Sequence, residues 1–240
     1  MISCEKPVEI LPFYGSLSIS RMPKNQNPEA DSSKTNSSGT TDSPIIDYGS
    51  VSDIDGNIYK TIQIGNRTWM AENLKTTTYN DGNKIYFCPD GGPAGYTLWF
   101  GLGKGAYCWY DNDPSQNKDL GAFYNWHAVN TDKLCPAGWH VPSYSEWESL
   151  ITFLGGKVYP FSEQTDNARV NIQESIIEKS GFNPGTGHCL CGWGFIEYYP
   201  YWWTSNSYIK YNFPYAYLIG FEYISDEPQS YGFNVRCLKD

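Results

Sequence analysis

Oxygen-bearing side chains recur at every second position in Asp111, Asp113, Ser115, Asn117 and Asp119, a spacing that sets ligands on one side of a calcium-binding loop. Gln116 stands where an EF-hand needs Gly, and Ala122 where it needs a bidentate Glu, so that motif is excluded. A looser calcium site drawn from Asp111, Asp113, Asn117 and Asp119 stays open, because a hard cation asks only for oxygens on an adaptable loop. Asp53, Asp55 and Asn57 repeat the alternation over a shorter stretch and read as turn residues. The histidines, His127, His140 and His188, are scattered, and no carboxylate spacing marks a paired acid and base. His140, in the run Gly138-Trp139-His140-Val141-Pro142, reads as a packed, hydrogen-bonded ring. No catalytic residue is therefore assigned, and the chain is read as non-enzymatic.

Cysteine chemistry is the second possibility. Seven Cys is an odd number, which in an exported chain points to lipidation, a thiol or an intermolecular bond. Met1-Ile2-Ser3-Cys4 places a small residue before Cys, as at the end of a bacterial lipoprotein signal, making Cys4 a candidate lipidation site; an incidental Cys in a loose terminus fits as well. Setting Cys4 aside leaves six Cys, and the residues themselves select no pairing. Cys88 and Cys108 flank a Gly-rich loop and could close it. His188, Cys189 and Cys191 cluster, but a second pair of ligands at zinc spacing is missing, so loop disulfides are the preferred reading.

The third possibility is recognition by aromatic rings. Trp, Tyr and Phe make up 17% of the chain and charged residues only 18%, below the roughly 25% usual for globular proteins. Sugar rings present apolar C–H faces that stack on Trp and Tyr, while Asn and Asp bind the hydroxyls. Trp69, Trp126, Trp139, Trp147, Trp202 and Trp203 are expected in the core. Tyr96, Trp99, Phe100, Tyr198, Tyr199 and Tyr201 lie beside Gly and Pro and are expected in exposed loops, where binding residues concentrate, so they form the candidate ligand set. A net charge of −9, with no basic stripe, excludes nucleic acid as a partner.

The elements that must position these groups follow from patterning. Arg21–Pro44 holds no aromatic ring and cannot offset ordering entropy by burial, so residues 1–47 are read as a disordered stalk and 48–240 as one domain. Asp53–Asn57 is a turn, and Ile58–Ile64 alternates as a half-buried strand does. Gly65-Asn66 then reverses the chain into Arg67–Met70. Ser143–Gly155 carries an N-cap, a Glu three residues on, apolar positions Trp147, Leu150, Ile151 and Leu154, and a terminating Gly: an amphipathic helix. A shorter helix is expected around Phe123–Asn130, and short strands at Tyr201–Ser205 and Ala216–Phe221. The fold class is α+β: short antiparallel strands, long irregular loops and one or two helices. No apolar run reaches the ~20 residues a spanning helix needs, and residues 1–20 lack a signal-peptide pattern.

Three blocks carry a family resemblance: DIDGNIYKTIQIGNRTWMAENLKTTTYNDG at 53–82, CWYDNDPSQNKDLGAFYNWHAVNTDKLCPAGWHVPSYSEWESL at 108–150, and YGFNVRCLKD at 231–240. Together they resemble the Fibrobacter succinogenes major paralogous domain family, exported bacterial domains found on lipoproteins and surface proteins, and the likeness spans nearly all of 51–240. The resemblance implies a C-type-lectin-like fold and a Cys135–Cys237 disulfide, and it supplies no activity. His127 stands where relatives carry Tyr, and Cys189 and Cys191 look like local additions. Glu227-Pro228-Gln229 only echoes the first calcium triplet of true C-type lectins and the second is absent, so their calcium-dependent sugar site is not carried over. Related folds include an oxidising enzyme that uses two Cys, which keeps a Cys189 or Cys191 enzyme as a minor alternative. The expectation is an exported recognition module at the cell surface or outer membrane, binding glycan or another extracellular polymer, attached at most by a lipid anchor. The rival is a structural or adhesive envelope component.

Overall fold

The computed structural model describes residues 47–89, 99–159, 168–172, 180–182, 187–191, 194–198, 200–220 and 223–240; residues 1–46 of the expected stalk lie outside them. Turn chemistry sets the first sheet. Asp53 accepts the Asn57 backbone N–H and side-chain amide, both at 2.9 Å, so β1 (Gly49–Ser52) folds back antiparallel on β2 (Ile58–Ile64). Gly65 at φ 62° and Asn66 then make the two-residue connection to β3 (Arg67–Met70), with Ile64 opposite Arg67. Asp55 does more than turn the chain: its carboxylate accepts from Thr76, Thr77 and Thr78, pinning the segment that follows β3. Beside β3 lie β16 (Leu238–Lys239) and β7 (Trp139–His140), and the Cys135–Cys237 disulfide joins the segments leading into them.

The second sheet runs in the order β11 (Gly194–Tyr198), β10 (Gly187–Cys191), β15 (Gly232–Phe233), β6 (Phe123–Asn125), β5 (Ala106–Cys108), β4 (Tyr86–Phe87). The helix expected around Phe123–Asn130 is split here. Phe123, Tyr124 and Asn125 are fully buried, β15 pairs with Tyr124 and Asn125, and only α2 (Trp126–Val129) is helical. Asn125 makes the switch: its Oδ1 accepts the Ala128 N–H as an N-cap and the Ala106 N–H of β5. One turn of helix also forms earlier, α1 (Pro114–Asn117).

The third sheet is ordered β12 (Trp202–Lys210), β13 (Phe213–Ile219), β14 (Tyr223–Pro228), β9 (Ala168–Asn171), β8 (Lys157–Tyr159). The long helix α3 (Tyr144–Phe153) lies against it. Ser143 caps α3 with a complete capping box to Glu146, and Gly155 follows at φ 81°, as the sequence predicts.

Strand alternation sends two cores to opposite faces of this sheet. Trp202, Ile219 and Ile224 join Trp147, Leu150 and Ile151 of α3, with Trp147 stacked on Trp202 at 5.4 Å. Trp203, Ala216 and Leu218 join Tyr59, Tyr124, Trp126, Phe233 and the disulfide. Each large side chain buried this way contributes roughly 1.5–3 kcal/mol. Trp139 is half-buried, whereas the other five tryptophans assigned to the core are buried.

One half-buried polar hub links the elements. Asn73 Oδ1 accepts from Trp202 Nε1 at 2.8 Å and Arg236 Nε at 3.0 Å, and its amide donates to the Leu120 carbonyl. The Arg236 guanidinium lies 4.3 Å from the Phe182 ring centroid and 4.9 Å from that of Trp202. The three sheets belong to one unit, Asp42–Asp240, an α+β arrangement as the sequence indicates. Among the described residues no helix is long and apolar enough to cross a membrane.

Candidate functional site

Of the aromatic set expected from sequence, the residues with described side chains are Trp99, Phe100 and Tyr201. Trp99 is fully buried among Cys88, Ala106, Cys108 and Phe123, and Tyr201 is buried with its ring against Gly220, where a Cβ would come within 2.8 Å of it. Both were expected to be exposed, and burial removes them from any surface. Neighbouring Gly and Pro mark a turn in the backbone, but the space the small residues leave is filled by the ring beside them. Phe100 is half-buried, edge-on to Tyr231 at 5.2 Å. Tyr96 and Tyr199 lie outside the described residues; Tyr198 ends β11, and its side chain is likewise outside.

The residues of the calcium reading, Asp111, Asp113, Asn117 and Asp119, lie on the segment around α1. Asp113 turns inward on its own segment, capping α1 through Ser115 and accepting from Gln116, and Asn117 donates to the Tyr110 carbonyl. Asp119 faces Lys75 at 3.6 Å, and Asp111 is exposed. Asp113 and Asn117 are thus engaged in local structure. Among the described residues no three His, Cys, Asp or Glu side chains form a metal set.

His140 is a hydrogen-bonded ring, as the sequence suggests. Its Nδ1 is 2.5 Å from Asp240 Oδ1, and its Nε2 is 3.2 Å from both Glu146 oxygens. Glu146 also pairs with Arg67 at 2.6 Å. Partial burial pushes the Glu146 carboxyl upward, but the Ser143 N–H and hydroxyl, Arg67 and His140 together hold it below its usual value. Both imidazole nitrogens thus face carboxylates, an arrangement that anchors the start of α3. A pocket of about 120 Å³ adjoins it, lined by Val129, Asp132, Leu134, Cys135, Val141 and Ser205.

The arrangement best suited to binding is one the sequence reading missed, at the end of the third sheet beyond α3. Register pairs Tyr208 of β12 with Tyr215 of β13, and Tyr217 of β13 with Asp226 of β14, so these four side chains share one face with Lys210. This is the face that carries Trp202, Ile219 and Ile224 into the core under α3; farther along, the positions become half-buried tyrosines. Tyr208 stacks on Tyr217 at 4.9 Å and lies 6.4 Å from Tyr215, while Tyr144, at the start of α3, meets Tyr217 edge-on at 5.7 Å.

In the middle of the rings Asp226 accepts from Lys210 Nζ at 2.8 Å. Burial and the hydrogen bond to Asp226 push the Tyr208 phenol well above its usual value, so it is a neutral donor over the physiological range. Glu227 points to the other face, opposite Ala216, where burial and the neighbouring Asp226 raise its carboxyl to about 7 against a smaller opposing pull from Lys210. The adjacent carboxylates therefore cannot work on one bond as an acid and base pair. What the face offers is aromatic surface and phenol hydroxyls around a compensated ion pair. The period-two run Phe213-Pro214-Tyr215-Ala216-Tyr217 was the available signal.

Comparison with known proteins adds one finding. The sequence model of the Fibrobacter succinogenes major domain matches residues 62–239, a span that includes all of the third sheet. No match was found among curated proteins or among solved structures.

Proposed function

The chain belongs to the Fibrobacter succinogenes major domain family, and we propose that it is a non-catalytic recognition module that contacts a hydroxyl-rich extracellular polymer through the tyrosine-lined end of its third sheet. One observation carries this reading: Tyr208, Tyr215 and Tyr217, with Tyr144 of α3 edge-on to Tyr217, stay half-buried on the sheet face where the same strands bury Trp202, Ile219 and Ile224. Amphipathic rings with one wet end suit an interface, because they combine apolar area with a hydrogen-bonding tip. Glycan is the polymer class that such rings, with a phenol donor and a compensated Lys–Asp pair, fit best. The finer fold assignment, C-type-lectin-like, is supported by the disulfide that ties β16 to the segment before β7 and by the loop-rich second sheet. Export and display at the cell surface agree with that disulfide, since such bonds persist in oxidising compartments.

The test is a glycan array together with affinity electrophoresis on neutral and acidic polysaccharides, using the full chain. Retention on at least one polysaccharide is expected, and Tyr217→Ala should weaken it about tenfold, or ~1.4 kcal/mol. Tyr86→Ala, an exposed ring on β4, serves as the control and should bind like the parent. Retention on no saccharide at all would contradict the recognition role and favour an envelope component without a ligand.

A further inference from the structure

We infer that the ligand is an extended, uncharged polysaccharide, and that the hairpin turn Tyr211–Asn212 prolongs the tyrosine face into an open contact line for several of its units. The inference rests on the recognition role proposed above and adds the polymer's class and a new contact residue.

The backbone supplies the first argument. Lys210 pairs with Phe213, so Tyr211 and Asn212 alone make the reversal between β12 and β13, at φ 51° and 65°. Both values lie in the left-handed region, where such turns normally place Gly, Asn or Asp. Asn212 is suited to it, but Tyr211 is a bulky residue held there against its preference. Packing does not compensate, because Tyr211 is 82% exposed. Strained backbone that carries an exposed ring is a feature of contact sites, where the strain serves to aim the side chain.

Position supplies the second argument. Lys210 Nζ lies 5.9 Å from the Tyr211 ring centroid and 5.5 Å from that of Tyr215, so Tyr211 stands at the Lys210 end of the same row. Phe213, opposite Lys210 on that face, is 65% exposed and leaves a ring surface available for stacking. Tyr208 and Tyr217 are stacked on each other and present mainly edges and hydroxyls. The rings follow one another along the strands past Lys210 to the turn, a shape matched by consecutive sugar units more than by a single sugar.

Charge supplies the third. The ion pair in the row is closed at 2.8 Å, Glu227 lies on the other face, and the chain carries −9 overall. An acidic polymer would meet a negatively charged protein with no unengaged cation in the row to receive it, whereas an uncharged one loses nothing on approach.

The experiment compares parent and Tyr211→Asn, which suits the left-handed position and deletes the ring. Dextran, pullulan, mannan and xyloglucan serve as neutral polymers, alginate and hyaluronan as acidic ones. At least one neutral polymer should retard the parent and neither acidic one should; affinity should rise from the disaccharide to the hexasaccharide of the retained polymer and persist at 0.5 M salt. Tyr211→Asn should weaken binding about fivefold while raising Tm by about 2 °C. Unchanged binding by Tyr211→Asn alongside impaired Tyr217→Ala would overturn the contact line and leave the recognition role standing. Preference for alginate or hyaluronan would overturn the uncharged class. Failure of the parent to bind any saccharide would sink both.

Discussion

Removing the Cys135–Cys237 bond should cost several kcal/mol of stability. The bond closes a loop spanning 102 positions and joins two segments that remain buried and strand-paired around it. Without it the native contacts of β16 with β3 and β7 can still form, so the loss falls mainly on the unfolded state, which gains the freedom of the opened loop. The chain-entropy model gives about 4.7 kcal/mol for a loop of roughly 100 residues, and residual unfolded structure commonly lowers the realised figure to about 3–5 kcal/mol. Urea unfolding of Cys135→Ala/Cys237→Ala against the parent measures it, with the m-value rising as the unfolded chain expands. The single Cys237→Ala should lose nearly the same amount, because either change opens the loop. A loss below about 1 kcal/mol with unchanged m would refute the argument, since it would mean the loop does not restrain the unfolded chain.

Asn73→Leu should destabilise the fold by about 1–3 kcal/mol in the same assay, because it removes the acceptor shared by the Trp202 indole N–H and Arg236 Nε; a loss near zero would show that the hub is dispensable. Glu227 is pushed up to about 7 in the folded chain against 4.5 in the unfolded one, so the folded state holds its proton longer, and the contribution of this group to stability is fully present below about pH 4.5 and is lost as pH rises through 7. Glu227→Gln should flatten that decline and gain on the order of 2 kcal/mol at pH 8, the half-buried carboxyl being partly screened; an unaltered pH profile would exclude Glu227 as its source.

Local structure could be read from sequence wherever it had a local cause. The Asp53–Asn57 turn, the Gly65-Asn66 reversal and the capped helix after Ser143 each depend on side chains within a few residues of the backbone they shape. Asn125 shows the limit: within its own segment it sits in a helical pattern, but the β15 strand, about 100 positions away, claims Phe123–Asn125 first. The Cys135–Cys237 pairing came from the family blocks, since spacing could not choose it. Exposure of rings was the least accessible quantity. Trp99 and Tyr201 sit in Gly- and Pro-rich surroundings yet are buried, because burial depends on partners distant in sequence. The tyrosine row needs the register of three strands, so its members fall at 144, 208, 215 and 217 with no motif linking them.

NMR shift mapping of the full chain against a hexasaccharide from the polysaccharide that retains it tests the central claim most directly. The account predicts that the shifted amides and side chains concentrate at Tyr208, Lys210, Tyr215, Tyr217 and Asp226, with Tyr86 and the His140 cluster unmoved. Saturable shifts confined to another part of the domain, with the tyrosine row silent, would contradict it.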